Sequence, residues 1–363
     1  MPQNILIINP FGIGDVLFST PLIRNLRFYY PHAFIAVAVQ KKVMPILENN
    51  PHINKLFAFS RGDLKDLSRQ SKLKAMSLFF KTLSEIRRQR FDLCIDLSLE
   101  HRYSLFLKLL GVKQRIGFNY RKRGRFLTQR IDIEGYEGRH VAEYHLQLLE
   151  FLGKKAKFYD TELFLREEER EWAAAFLKDK GIADGDSVIG IIPGGGASWG
   201  GKANYLQWPF ENFAGVCEEL SKLSGVRIVL FGARQDSGIC ENISRILTHK
   251  PIEAFGRTTL RQFIALIDKC HLVICNDTGP LHISAALGKK IIYLCGPVDE
   301  RVYGAYPPAP ERIVMKRDFS CRPCYQKFRV PECNYQLRCL TAITAQEVLA
   351  QAKACLEAGA EKC

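Results

Sequence analysis

A carboxylate preceded by two glycines stands near the start of this 363-residue sequence. Residues 9–15 read Asn-Pro-Phe-Gly-Ile-Gly-Asp and directly follow an apolar stretch typical of a buried strand. Gly12 and Gly14 allow a tight turn and let the backbone approach a ligand closely. Asp15 could act there as a general base, or as the N-cap of the following helix, where aspartate is common. The residues alone leave both roles open.

A glycine-rich run that ends in a lysine occupies residues 193–202 and also follows a strand-like stretch. The backbone N–H groups around Gly195 and Gly196 could surround a diphosphate, and Lys202 would add positive charge. The run is not a Walker A loop, because its lysine is followed by Ala203 and not by serine or threonine. A surface loop without a ligand would have a similar composition, so both interpretations stay open.

A third polar turn, residues 276–288, links a predicted strand to a helix of small residues. Asp277 or Thr278 could cap that helix. Alternatively, the N–H groups of Thr278 and Gly279 could bind an anion at the helix start, with His282 facing the ligand. Capping alone gives no reason for a histidine at this position. The residues leave both interpretations open, helix capping and anion binding.

A group of four cysteines falls within residues 321–339 and consists of Cys321, Cys324, Cys333 and Cys339. A Cys-x-x-Cys pair followed by two more cysteines fits metal ligation by four thiolates, and a site closed by protein ligands would be structural, holding zinc or iron. The start of the chain does not read as a signal peptide, so we expect a reducing compartment. That expectation disfavours a disulfide, but metal, free thiols and disulfide all stay open.

The sequence carries an excess of positive charge, with 52 lysines and arginines against 38 acidic residues, a net charge of +14. Such an excess favours anionic partners, for example nucleic acid, phosphorylated sugars or an acidic membrane surface. Part of it lies in a basic loop at residues 119–130, where Arg121, Arg123 and Arg125 could bind acceptor phosphates. A solvated surface loop is the simpler interpretation for most of these residues.

The elements that must hold these motifs alternate between strand and helix, which predicts an α/β protein with parallel sheets covered by helices on both faces. Two such series occur, so we expect two Rossmann-like, doubly wound domains facing a central cleft. They span residues 1–160 and 161–343, and the second includes segment 321–339. Residues 344–363 are predicted to form a helix that packs back across the hinge. No apolar run reaches the roughly 18 residues of a transmembrane helix.

Some of the predicted elements are specific enough to be checked one by one. Apolar residues recur with helical spacing over residues 15–29, 41–47 and 64–90. The first of these helices would contain Pro21, which would remove a backbone hydrogen bond. Residues 166–170 read as a charged connection between the domains.

The three motifs together resemble those of the lipopolysaccharide heptosyltransferases, glycosyltransferase family 9. The run Gly-x-Gly-Asp-Val-Leu-x-x-Thr-Pro-Leu at residues 12–22 is similar to the family's opening motif. Residues 193–202, followed by Trp208-Pro209, resemble its phosphate loop, although three consecutive glycines here depart from the pattern. Residues 277–282, Asp-Thr-Gly-Pro-Leu-His, resemble its donor-site motif. The motifs occur in the family's order and cover nearly the whole chain.

The resemblance implies the GT-B fold and an inverting, metal-independent transfer of heptose from ADP-heptose to a lipopolysaccharide core. Asp15 would be the general base, and Lys202 with the N–H groups of Thr278 and Gly279 would stabilise the departing diphosphate. The other implied donor contacts are Gly12, Gly14, Gly195, Gly196, Asp277 and His282, with Gly256, Arg257 and Thr258 near the adenine. We would expect a cytoplasmic enzyme, peripheral at the inner membrane, with a nucleotide sugar and an anionic glycolipid as partners.

Three other functions compete with this hypothesis. A heptosyltransferase with a protein acceptor, such as an autotransporter, would need the same donor site. A basic nucleic-acid-binding protein with a four-cysteine metal element would explain the charge, but the basic stretches lack the interleaved aromatics that stack bases. An NAD-dependent oxidoreductase would need a third glycine after Gly14 and an acidic residue after the second strand, where Gln40 stands. We therefore expect no nucleic-acid partner, and the oligomeric state is left open.

Overall fold

The computed structural model describes residues 2–58 and 61–360. The chain divides into two units, Met1–Phe164 and Leu165–Cys363. Each unit contains a six-stranded parallel sheet with helices packed on it and has a buried core of its own. Because helices cover both faces of each sheet, the strands read in the sequence as nearly continuous apolar runs.

Six strands form the sheet of the first unit, and they are β1 (Asn4–Asn9), β2 (Phe34–Val39), β3 (Lys55–Ala58), β4 (Leu93–Asp96), β5 (Gln114–Tyr120) and β6 (Gln129–Ile133). They pair in parallel in the order β3-β2-β1-β4-β5-β6. The central strands β1 and β2 are buried along almost their whole length.

A break divides the first predicted helix in two. Helix α1 spans Ile13–Leu17 and helix α2 spans Thr20–Tyr29, with Ser19 as the N-cap of α2. Pro21 therefore lies in the first turn of a new helix, where an N–H group has no intrahelical partner to lose. The prediction of one continuous helix over residues 15–29 is therefore wrong, since two helices form there, and Pro21 does not interrupt either of them.

The remaining helices of the first unit are α3 (Arg61–Gln70), α4 (Lys72–Arg88), α5 (His101–Leu109) and α6 (Val141–Gln147), with 3-10 turns at Met44–Ile46 and Leu148–Leu152. The helix predicted over residues 64–90 is interrupted at Ser71, whose hydroxyl accepts a hydrogen bond from the N–H of Lys74 at 3.3 Å and so caps α4. The helix predicted over residues 41–47 is also wrong, since a single 3-10 turn forms there.

The second unit repeats this plan with the strands β7 (Ser187–Ile192), β8 (Val226–Leu230), β9 (Ile252–Glu253), β10 (Leu272–Asn276), β11 (Lys290–Leu294) and β12 (Arg312–Met315). They pair in parallel in the order β12-β11-β10-β7-β8-β9. Leu272, Val273 and Ile274 of β10 are essentially inaccessible to solvent.

Its helices are α7 (Glu167–Asp179), α8 (Phe210–Ser221), α9 (Ser237–Ile246), α10 (Leu260–Asp268), α11 (Gly279–Ala286), α12 (Glu300–Tyr303), α13 (Arg338–Thr341) and α14 (Ala345–Ala360), with 3-10 turns at Ala197–Leu206 and Arg234–Asp236. Residues 166–170, predicted as a connection, begin α7 instead, because Glu169 reaches back to accept from the N–H of Arg166 at 2.8 Å. Helix α14 packs on α8, and its Val348 and Ala352 belong to the core of the second unit. Within the described residues, no helix combines the length and the apolar character needed to cross a bilayer.

Both sheets have the same topology. Counted from the start of its own unit, each sheet has the strand order 3-2-1-4-5-6, in which the direction of winding reverses between the first and fourth strands. The reversal points therefore lie between β1 and β4 and between β7 and β10. Doubly wound sheets bind ligands outside the carboxyl ends of the strands at this point. Asp15 follows β1 and the glycine-rich loop follows β7, so each motif lies at the reversal point of its own unit.

Candidate active site

Asp15 lies in the first turn of α1, whose N-cap is Gly12. The residue is half-buried, and its carboxyl group accepts hydrogen bonds from the backbone N–H groups of Gly12 and of Asp15 itself. Burial raises the pKa of Asp15 to about 6, against the lowering effect of these two N–H groups. Asn9 holds the same turn, since its side-chain amide donates to the carbonyl of Asp15 at 2.8 Å. A carboxylate with this pKa is ionised at neutral pH and can still accept a proton.

The same sheet edge carries a second carboxyl group that no sequence motif marks. Asp96 ends β4, the strand paired with β1, and it is 4% exposed. Burial raises the pKa of Asp96 to about 6 as well, although the N–H of Ser98 donates to it at 3.0 Å. Both carboxyl groups accept backbone hydrogen bonds, but Asp96 is a buried residue, whereas Asp15 is only half-buried. An aspartate at the end of an apolar strand was the signal available in the sequence.

The arginines predicted to bind the acceptor lie in the turn between β5 and β6, after the carboxyl end of β5. Arg123 pairs with Glu100 at 2.9 Å, and Glu100 follows β4, so this turn is tied to the neighbouring strand. Arg121 and Arg125 are exposed, and the guanidinium group of each lies over the ring of an adjacent aromatic residue. The turn therefore presents positive charge at the carboxyl edge of the first sheet.

The glycine-rich loop after β7 is pressed against the turn that follows β10. Gly195 has a φ of +113°, and a Cβ atom at this position would come within 2.6 Å of Thr278 Oγ1. A Cβ atom at Gly194 would come within 2.4 Å of Asp236 Cγ. Neither position can hold a side chain without displacing its neighbour. The structure thus brings two predicted donor-site residues, Gly195 and Thr278, into contact.

Asn276, the buried last residue of β10, fastens these two loops together. Its side-chain amide donates to the carbonyl of Pro193 at 2.7 Å and accepts from the N–H of Trp208 at 3.0 Å. On the far side of the loop, the N–H of Gly195 donates to Asp236 at 3.2 Å. These bonds fix the backbone of the loop before any ligand binds.

Helix α11 begins in the turn after β10, with Thr278 as its N-cap. Within the described residues, the Thr278 side chain makes no capping hydrogen bond to the first turn. A helix start without a side-chain cap offers its N–H groups and the positive end of its dipole to an anion. Gly279 is the first residue of α11, and His282 lies one turn further, 8% exposed. Thr278 therefore occupies the N-cap position, as one interpretation predicted, but its side chain does not make the capping bond, and anion binding there stays a prediction.

Asp277 is buried in the same turn, and burial raises its pKa to about 7. The thiol of Cys295 donates to its Oδ2 at 3.5 Å and, like the positive charge of Arg322, lowers this pKa, whereas the negative charge of Glu300 raises it. Asp277 therefore binds a proton much more readily near neutral pH than an exposed aspartate does. A neutral carboxyl group repels a neighbouring anion less than a carboxylate does.

Arg322 is a residue that the cysteine spacing gave no reason to notice. Its side chain is 5% exposed and donates to Glu300 at 2.7 Å, to the carbonyl of Gly296 at 2.8 Å and to that of Val298 at 3.0 Å. These contacts attach segment 321–339 to the loop that follows β11. Arg322 thereby links the cysteine segment electrostatically to the turn that holds Asp277.

Lys202 connects the glycine-rich loop to the same segment. Its ammonium group pairs with Glu332 at 2.7 Å and donates to the carbonyl of Val330 at 3.1 Å. Nearby, the ring of Trp199 lies against that of Tyr325, with centroids 5.1 Å apart. Because the Glu332 side chain is 77% exposed, its ion pair with Lys202 is weak and can be exchanged for another anion.

The residues predicted near the adenine lie in the turn between β9 and α10. The N–H of Gly256 donates to the carbonyl of Gly232 at 2.9 Å, which places the turn beside the loop after β8. Arg257 pairs with Glu253 at 3.4 Å, and Thr258 donates to the carbonyl of Ala254 at 3.4 Å. The turn thus belongs to the carboxyl edge of the second sheet, as does the glycine-rich loop.

The four cysteines of segment 321–339 lie near one another. Burial, together with the neighbouring thiols of Cys321, Cys339 and Cys333, raises the pKa of Cys324 to about 11. All four are free thiols in the structure. Among the described residues, no group of three or more His, Cys, Asp or Glu side chains is arranged to hold a metal ion. The structure therefore does not support the predicted structural zinc or iron, and free thiols are what it contains.

A protein-family model matches more than half of the chain. The model is that of glycosyltransferase family 9 (heptosyltransferase), and it matches residues 79–334. This range contains the glycine-rich loop, the turn with Asp277 and three of the four cysteines, Cys321, Cys324 and Cys333. Asp15 lies before this range.

Relatives and solved structures match nearly the full length. Lipopolysaccharide heptosyltransferase 3 of Escherichia coli (strain K12) is 28% identical over 342 residues, 93% of each chain. The glycosyl transferase family 9 structure from Veillonella parvula DSM 2008 is 25% identical, with a TM-score of 0.81 over 98% of this chain and 97% of that one. The E. coli ADP-heptose lps heptosyltransferase II has a TM-score of 0.76 at 21% identity, covering 98% and 99%. The two Rossmann-like units of this chain therefore have the GT-B fold, as predicted.

Proposed function

Because the chain belongs to glycosyltransferase family 9, the heptosyltransferases, we propose that it transfers heptose from ADP-heptose to the core of a lipopolysaccharide. The observation that carries this proposal is the similarity, along 93% of both chains, to a lipopolysaccharide heptosyltransferase. Membership of the family makes the chain a glycosyltransferase. The heptose, the ADP and the lipopolysaccharide are the proposed parts.

The second unit would bind the diphosphate of the donor. The start of α11, at Thr278 and Gly279, offers N–H groups to phosphate oxygens, and the backbone of Gly195 lies against Thr278. Gly196 follows Gly195 in the same loop and would add its N–H group. Lys202 would exchange Glu332 for the diphosphate. The raised pKa of Asp277 supports the assignment, because a protonated carboxyl group tolerates an anion beside it and can donate to one. His282, one turn into α11, would contact the phosphates or the ribose.

The first unit would supply the base. Asp15 would accept the proton of an acceptor hydroxyl while that oxygen attacks the anomeric carbon of the heptose and the bond to ADP breaks with its electron pair. The attack comes from the side opposite ADP, so the anomeric configuration inverts. ADP leaves as an anion without being protonated, and the positive groups of the donor site stabilise its charge. In this scheme the chemistry requires no metal ion and no second acid.

The acceptor would be an anionic glycolipid. Arg121 and Arg125 present exposed guanidinium groups that suit bidentate contacts with phosphate. Work on such an acceptor would place the enzyme at the cytoplasmic face of the inner membrane, where its net charge of +14 favours anionic lipids.

Two alternatives have less support. A protein acceptor would use the same donor site, but the relative described above over 93% of the chain is a lipopolysaccharide enzyme. A nucleic-acid-binding protein with a four-cysteine metal element is not supported by the arrangement of the described cysteines or by the family match.

The test is ADP release by the purified protein supplied with ADP-heptose and a core glycolipid that lacks heptose. UDP-glucose in place of ADP-heptose serves as the control donor, with release of UDP measured in place of ADP. An unglycosylated autotransporter passenger serves as the control acceptor. We expect release only from the combination of ADP-heptose with the glycolipid, and none with either control. Turnover of UDP-glucose would refute the donor, and turnover with the protein acceptor in place of the glycolipid would refute the acceptor.

A further inference from the structure

A row of apolar side chains is exposed along α4. Leu73, Met76 and Phe80 are 76%, 52% and 58% exposed. Their spacing of three and four residues places them on one face of the helix. Thr82 and Ile86 are buried on the opposite side and attach α4 to the first unit. We call the exposed row, Leu73, Met76 and Phe80, the α4 face. Clustered apolar exposure of this kind marks an interaction surface.

Basic side chains flank the α4 face. Lys72, Lys74 and Lys81 are exposed and lie to either side of the apolar row at the helical period of 3.6 residues. Residues 61–90, which form α3 and α4, contain nine lysines and arginines and three acidic residues. One of the three, Glu85, is paired with Lys55 at 3.1 Å. The surface therefore joins an apolar centre to a strongly positive border.

We infer that the α4 face docks the protein on an anionic lipid membrane. Leu73, Met76 and Phe80 enter the headgroup region, and the flanking lysines contact lipid phosphates. At 17 residues, interrupted by lysines, α4 lies on a bilayer and does not cross it. A protein partner fits less well, because lysine is depleted in protein interfaces, whereas interfacial membrane helices carry lysines beside their apolar row. The inference rests on the proposed function only in that a glycolipid acceptor lies in a membrane.

The test is sedimentation of the full-length protein with phospholipid vesicles at low salt. One set of vesicles is phosphatidylcholine, and the other contains roughly one third phosphatidylglycerol, a fraction that gives an anionic surface. We expect binding to the anionic vesicles that weakens as salt is added. The double variant Leu73→Ser, Phe80→Ser should bind them about tenfold more weakly, because it removes apolar area from the contact.

A matched control is available in the same unit. Leu109 and Phe158 are 76% and 72% exposed but lie outside α4, so Leu109→Ser, Phe158→Ser removes the same side chains elsewhere. This variant should bind vesicles as the parent does, and circular dichroism checks that both variants are folded. Equal binding by the α4 variant and the control would overturn the inference, as would failure of the parent to bind anionic vesicles.

The proposed function is assessed separately by ADP release with a delipidated core oligosaccharide, which needs no membrane. The α4 variant should retain the parent rate in that assay. Vesicle binding without any ADP release would contradict the proposed function and leave the membrane surface standing. ADP release with no vesicle binding would contradict the membrane surface and leave the proposed function standing.

Discussion

The ionisation of Asp15 sets the pH range in which the proposed base can work. Burial raises its pKa to about 6, so the carboxylate form that accepts a proton predominates above pH 6 and is lost below it. We therefore expect kcat/KM for heptosyl transfer to be flat at higher pH and to fall about tenfold per pH unit below the pKa of Asp15. Initial rates of ADP release between pH 5 and 8 measure this profile.

Asp96 provides the control for that profile, because burial raises its pKa to about 6 too. If Asp15 is the base, the variant Asp96→Asn keeps the acidic fall in rate at the same pH. If that fall disappears in Asp96→Asn while turnover continues, the titration belongs to Asp96 and the assignment to Asp15 is contradicted.

Asp277 should make donor binding weaken as the pH rises, whereas the rate that depends on Asp15 should fall as the pH drops. Its pKa is raised to about 7, so the group gains a negative charge as the pH rises from 6 to 8. That charge repels a diphosphate, and we expect ADP affinity to fall by several-fold over this range. Calorimetry measures ADP affinity against pH in the parent and in Asp277→Asn. The variant shows how much of the pH dependence comes from the titration of ADP itself. If parent and variant show the same pH dependence of ADP affinity, Asp277 does not lie beside the bound diphosphate.

At the residue scale, the sequence showed some of these groups and not others. Asp15, Gly195 and Asp277 stand in motifs that follow strands, so their types and positions could be recognised. Arg322 could not, and Asp96 carried only the weak signal of its place at the end of an apolar strand, because the importance of both depends on burial and on partners that the fold supplies. The raised pKa values likewise come from tertiary burial, which a local sequence pattern does not encode.

At the scale of elements, the contact between the glycine-rich loop and α11 is open to a direct test. In Gly195→Ala, the new Cβ atom would meet Thr278 Oγ1 at 2.6 Å, and the φ of +113° would be strained. We expect a loss of stability of about 1–3 kcal/mol and about tenfold weaker ADP binding. Thermal denaturation and calorimetry measure the two effects.

Gly201 supplies the matched control from the same loop. Among the described residues, no side chain beyond those of its chain neighbours would lie within 4 Å of a Cβ atom at this position, and its φ is not in the left-handed region. Gly201→Ala should therefore keep ADP affinity within about twofold of the parent. Similar losses in both variants would mean that the loop is only generally sensitive to substitution.

The Lys202–Glu332 pair gives a further prediction at this scale. If Lys202 binds the diphosphate, Glu332 competes with the donor for its ammonium group, and Glu332→Gln should strengthen ADP binding by about threefold or less, the range of an exposed ion pair. Lys202→Ala should weaken it. Unchanged affinity in Lys202→Ala would assign Lys202 to holding segment 321–339 in place.

The elements themselves were predicted well where apolar runs are long and poorly where capping decides. The strands β1, β2, β7, β10 and β11 follow directly from their apolar runs. The breaks at Ser19 and Ser71 divide helices whose apolar spacing continues across them. After the first break α2 restarts with Pro21 in its first turn, and at the second the Ser71 hydroxyl caps α4. Segment 321–339 was the least predictable part, since the cysteine spacing suggested a metal that the arrangement of the described side chains does not support.

At the scale of the whole molecule, two units with the same topology carry different groups at equivalent places. The reversal point of the first sheet holds the carboxylates Asp15 and Asp96, while that of the second holds glycines, N–H groups and a carboxyl group with a pKa near neutrality. The first set suits proton transfer and the second suits an anion. This division of chemistry between the units is the central claim of the proposed mechanism.

The most direct test of that claim is to measure turnover and ADP binding together in Asp15→Asn. The change removes the base and leaves the second unit untouched, so ADP release from ADP-heptose and core glycolipid should fall roughly a hundredfold to ten-thousandfold, the range for loss of a general base. Calorimetric ADP affinity should stay at the parent value. A variant that keeps the parent turnover, or that loses ADP binding in step with turnover, would contradict the account.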